Sequence, residues 1–95
     1  MSNVLDVTAL DRELQGLSGW SGDPARGIRK TFECGDFNGS VAFLNQVAEI
    51  ADESNHHPDV WISWDKVTLT YITHSAGAVT PADVEQARNV DAQLG

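Results

Sequence analysis

Sulfur and positive charge are both scarce in this 95-residue chain. Cys34 is its one cysteine, so no intramolecular disulfide can form and no multi-cysteine metal site can be built. Lysine and arginine number 6 against 14 aspartates and glutamates, a net charge of −8. Such a surface repels phosphate backbones. Direct nucleic-acid binding is therefore not expected, and solubility is the plain reading of the excess acid. No apolar run approaches the roughly 20 residues that a bilayer span needs. The opening Met1-Ser2-Asn3-Val4-Leu5-Asp6 has neither the basic nor the apolar region of a signal peptide. A cytoplasmic location with no membrane partner is expected. Repeats and long linkers are lacking too, and the length fits one domain over residues 1–95.

Regular periodicities fill most of the chain. Thr8 reads as an N-cap with Asp11 as its capping-box partner, and Val7, Leu10, Leu14 and Leu17 form a helical stripe ended by Gly16 and Gly19. Ser21-Gly22-Asp23-Pro24 is turn chemistry. Alternation from Ile28 to Cys34 predicts a strand. Asp36 caps a second helix running to about Asp52, and Asn55-His56-His57-Pro58 breaks it. Val60, Ile62 and Trp64 share one strand face. After an Asp65-Lys66 turn, Val67, Leu69 and Tyr71 share a face of the next strand, which runs to His74. Thr80, Pro81 and Asp83 open a last helix bearing Val84, Ala87, Val90 and Leu94. The expected fold is α+β, with helices packed on one face of an antiparallel sheet.

All three histidines lie between positions 56 and 74. Imidazole, with an unperturbed pKa of about 6.5, gives and takes protons near neutrality. Asp52 stands four residues before His56, on the same face if the helix persists that far. Three other readings stand beside acid–base chemistry. His56-His57-Pro58 can be a polar turn, three imidazoles with Asp52 can hold a metal, and the tryptophans can be core rather than a stacking platform. Strand parity sends Trp64 to the core and leaves Trp61 for a pocket or subunit contact.

Asp52-Glu53-Ser54-Asn55-His56-His57-Pro58, Trp64, Val67-Thr68-Leu69 and Thr73-His74 resemble the signature of the pterin-4a-carbinolamine dehydratase family. That signature is an acid, three residues, His-His or His-Asn, Pro, an aromatic, an alternating strand and Thr-His. Gly19-Trp20, Asp36-Phe37 and Thr80 with Asp83 match its layout as well, so the resemblance covers nearly the whole chain from Thr8. One departure is Gly77-Ala78 where the family has Gly-Gly. An alanine forced to positive φ there would cost about 1 kcal/mol or more.

The resemblance implies a four-stranded antiparallel sheet with three helices on one side, in the order α-β-β-α-β-β-α. It implies subunits paired by their sheets, as homodimers or homotetramers. It also implies dehydration of 4a-hydroxytetrahydropterin to quinonoid dihydropterin, in tetrahydropterin recycling, with no metal and no organic cofactor. His56 and His74 would then be the acid–base pair, His57 would assist binding, and Asp52 would orient His56. Pro58, Thr73, Ser75 and Ala76 join the three histidines in holding the flat pterin. The alternative is a non-catalytic assembly factor or coactivator on the same fold.

Overall fold

Asp6, not Thr8, starts the first helix: its carboxylate accepts a hydrogen bond from Ala9 N at 2.8 Å. Aspartate caps at least as well as threonine, so the helix begins at the earlier of two usable caps. In the computed structural model, which describes residues 3–95, α1 spans Val7–Gln15 and ends at Gly16. Met1 and Ser2, at the head of the segment read for a signal peptide, lie outside the described residues. Leu10 and Leu17 are buried, while Val7 is exposed and leaves the expected stripe.

The turn chemistry at Ser21–Asp23 is itself a short strand, β1, paired antiparallel with β2 (Gly27–Glu33). Gly22 explains why: a Cβ there would lie 1.9 Å from the Gly27 carbonyl oxygen, so only glycine allows the approach. Asp36 caps α2 (Phe37–Ser54), accepting from Gly39 N at 2.7 Å. Asn55 ends that helix in the left-handed region at φ 53°, where asparagine is among the tolerated residues.

β3 (Asp59–Ser63) and β4 (Lys66–Tyr71) form the expected antiparallel hairpin, but its turn is Trp64-Asp65. Trp64 sits at φ 50° and is 69% exposed, so it does not join Val60 and Ile62. A non-glycine residue there costs about 1–2 kcal/mol. Two contacts hold the turn nonetheless. Buried Ser40 on α2 donates to the Trp64 carbonyl at 2.7 Å, and Cys34 N donates to the Asp65 carbonyl at 2.7 Å.

β4 stops at Tyr71 rather than His74, because Thr73 pairs with Ala78 across a closed loop. Positive φ in that loop falls on Gly77 (64°), so Ala78 carries no such strain. Thr80 and Pro81 begin α3 (Pro81–Leu94) as expected. The sheet order is β1-β2-β4-β3, giving, among the described residues, three helices and four antiparallel strands in the order α-β-β-α-β-β-α. Ile28, Phe32, Val67, Leu69 and Tyr71 pack against Leu10, Val47, Ile50, Val84, Ala87 and Val90. Trp20 joins this core, its indole N–H bonded to Asp91 at 2.9 Å. Trp61 lies on the other side of edge strand β3, 70% exposed. Among the described residues no helix is long and apolar enough to cross a membrane.

Tyr71 is the chain's one tyrosine, and its hydroxyl is buried with no hydrogen-bond partner among the described residues. Burial, then the nearby Asp83 charge, pushes its pKa from 10.0 up to about 12. The folded state therefore holds the phenol proton more tightly than the unfolded chain. Stability should be unaffected by this group below pH 10 and should fall as pH rises from there through about 12, by up to roughly 2–3 kcal/mol. Tyrosinate absorbance reads this residue alone, so denaturation curves at pH 9, 10 and 11 beside Tyr71→Phe check it. Identical slopes in both proteins would refute it.

Candidate active site

Asp83 draws three parts of the chain together. As the third residue of α3 it accepts from Thr80 N at 2.9 Å, which is its capping role. The same carboxylate accepts from the Thr73 hydroxyl at 2.8 Å and meets His56 Nε2 at 2.6 Å. Thr73 has one hydroxyl hydrogen and gives it to Asp83, so Thr80, 2.7 Å away, donates to Thr73 Oγ1. Asp83 is fully buried, and its three partners are what make a buried carboxylate tolerable. The His56 side chain is 20% exposed, so it links this buried network to the surface.

His56 reaches Asp83 because Asn55 turns the chain out of α2 before it. The His56 N–H still bonds back to the Ala51 carbonyl at 3.2 Å. Its ring lies nearly parallel to that of Tyr71, with centroids 6.1 Å apart and 12° between planes. Asp52, the expected partner of His56, instead meets His57 Nε2 at 2.9 Å. The helical i, i+4 argument fails because α2 ends at Ser54, so His56 is not on the helix. His74 Nε2 meets Asp59 Oδ1 at 3.2 Å. Asp59 pairs with Thr70 at the start of β3 and shares a strand face with exposed Trp61, away from the helices.

The three imidazoles thus have one carboxylate each, and each uses Nε2. An ionised carboxylate only accepts, so each histidine donates through Nε2–H. Of the other expected contacts, Pro58 and Ala76 are half-buried and Ser75 is exposed. The Thr73 hydroxyl is committed to Asp83. Among the described residues no group of three His, Cys, Asp or Glu side chains is placed to hold a metal ion. A groove of about 300 Å³ between α2 and α3 is lined by Gln46, Glu49, Ile50, Glu53, Gln93 and Leu94, and holds no histidine.

Sequence reasoning missed Asp59 altogether and read Asp83 only as a helix cap. An acid three residues after a threonine looks the same whether it caps, orients an imidazole, or does both. Only the tertiary contact separates these roles.

Comparison with known proteins agrees with the fold. The family model described as pterin 4 alpha carbinolamine dehydratase matches residues 3–93. A Sulfurisphaera tokodaii protein with the provisional name pterin-4-alpha-carbinolamine dehydratase is 48% identical over 84 residues, 86% of this chain and 87% of its own. A Nocardia farcinica protein with the same provisional name is 42% identical, covering 95% and 94%. The crystal structure titled transcriptional coactivator/pterin dehydratase from Brucella melitensis superposes with TM-score 0.88 at 32% identity, over 98% of this chain and all of that one. A pterin dehydratase-like protein identified as a RuBisCO assembly factor in the alpha-carboxysome gives TM-score 0.62 at 26% identity, over 80% and 87%. With nearly its whole length matched, this chain belongs to the pterin 4 alpha carbinolamine dehydratase family.

Proposed function

We propose that the chain dehydrates a 4a-hydroxytetrahydropterin to the quinonoid dihydropterin by imidazole acid–base chemistry. The observation that carries this reading is His56, oriented by a buried carboxylate yet still open to the surface. In the reaction the C4a–O bond breaks, the N5 proton leaves, and a C4a=N5 double bond forms. One imidazolium protonates the departing hydroxyl to water and one neutral imidazole takes the N5 proton, so the proton count closes. His56 and His74 fill these roles, in either order, and His57, held by Asp52, assists binding. The flat ring rests between the segments carrying these residues, 55–59 and 73–78. Each transfer is worth about 10²–10⁴-fold.

This reading favours an enzyme over an assembly factor or coactivator because all three imidazoles are present and paired. Stopped-flow mixing of synthetic 4a-hydroxytetrahydropterin with chelator-treated protein tests it. Dehydration should be well above the buffer rate, and His74→Ala should lose at least about tenfold. A wild-type rate equal to buffer would refute the dehydratase and favour the binding reading. A rate abolished by the chelator would favour a metal-dependent enzyme.

A further inference from the structure

We propose that Tyr71 is a positioning residue for His56: its buried ring is the bed on which the imidazole lies, setting the plane in which Nε2 meets Asp83. The inference deepens the dehydratase reading and rests on it for its kinetic consequences.

A single hydrogen bond to Asp83 fixes where Nε2 sits, but it leaves the ring free to tilt about that point. His56 also lies in a connection between α2 and β3, with no strand ladder to hold it. Packing beside a fixed, nearly parallel ring limits that tilt. Tyr71 supplies such a ring, its centroid 6.1 Å away, within the range of about 4.5–7 Å over which aromatic pairs interact. Tyr71 is itself held. It ends central strand β4 opposite Ile28, is fully buried, and packs against Trp20 with centroids 6.0 Å apart. The bed is therefore anchored in the middle of the sheet while the imidazole reaches the surface.

The hydroxyl takes no part in this positioning. A buried phenol with no partner is a poorer core residue than phenylalanine or leucine, because it loses its bonds to water and regains none. Its raised pKa keeps it neutral throughout the working range of an imidazole, so the bed adds no charge beside the His56–Asp83 pair. The inference assigns the positioning to the ring, and the two parts of the side chain can be tested separately.

Nuclear magnetic resonance of wild-type protein with labelled histidine is the first arm. His56 ring protons should be shifted away from random-coil values by the Tyr71 ring current. Random-coil proton shifts would overturn the proposal, and this arm needs neither activity nor a variant. The second arm is kinetic. Tyr71→Leu should lower kcat about 10–100-fold with KM within threefold, and should return the His56 ring protons to random-coil shifts. Tyr71→Phe keeps the ring and should restore both kcat and the shifted ring protons. Tyr71→Leu at wild-type kcat, or Tyr71→Phe as impaired as Tyr71→Leu, would overturn it. If wild-type protein shows no dehydration at all, the proposed function fails while the spectroscopic arm still decides the geometry.

Discussion

Replacing His56 with alanine should slow dehydration by about 10²–10⁴-fold, the worth of one positioned proton donor or acceptor. The variant should also lose some stability, since Asp83 keeps Thr73 and Thr80 but loses its shortest contact. A buried acceptor left partly unmet costs about 1–3 kcal/mol. His56→Gln separates the two effects. Its amide N–H can donate to Asp83 and recover the melting temperature, yet it cannot shuttle a proton, so the rate should stay low. Stopped-flow rates beside thermal melts of both variants make the comparison. A His56→Ala protein within tenfold of wild type would remove His56 from the chemistry.

Asp83 should give the largest stability effect in the chain. In Asp83→Ala, the Thr80 N–H, the Thr73 hydroxyl and the His56 Nε2–H all lose an acceptor, two of them through Oδ2 alone. The lost cap and the unmet donors together predict a loss of roughly 3–5 kcal/mol. For a domain of this size that lowers Tm by about 15–30 °C. Asp83→Asn should behave differently. Its amide oxygen can still serve Thr73 and Thr80, but its NH2 then faces His56, which must accept and so carries its proton on Nδ1. The fold should survive within a few degrees while activity falls at least about 100-fold, because the imidazole presents the wrong nitrogen to substrate. Calorimetry and dehydration rates on the two variants check this. Asp83→Asn with wild-type activity would show that the tautomer does not matter.

Much of this architecture is legible in one sequence, for reasons that can be named. Helix-period apolar residues, Asp36 as a cap, Thr80-Pro81 and the proline after His57 all act locally, and each element they announce is present. Three of the failures share one cause, the assumption that a periodicity continues to the edge of its segment. Alternation carried through Trp64 hides a turn residue at positive φ, and alternation carried to His74 misses the loop closed by Thr73 and Ala78. The helical spacing of Asp52 and His56 ignores what a left-handed Asn55 does to the chain's direction. In the site, the sequence shows which residues carry the imidazoles but not which carboxylate each one meets. Those pairs run 5, 15 and 27 residues apart along the chain, and no local pattern encodes them.

The strand order has a consequence for how the molecule assembles itself. β1–β2 and β3–β4 are neighbours in sequence as well as in space, but the middle of the sheet, β2 against β4, joins residues 27–33 to residues 66–71. Local hairpins close in microseconds, whereas a pairing across a long intervening segment must first meet the entropy of closing that loop. Here the loop contains all of α2 and β3. Docking of the two hairpins should therefore set the folding rate. Every histidine and every carboxylate that it meets belongs to the later half, residues 52–83. The earlier hairpin brings no titrating group to this site; docking sets its Ile28 opposite Tyr71, whose ring lies beside His56.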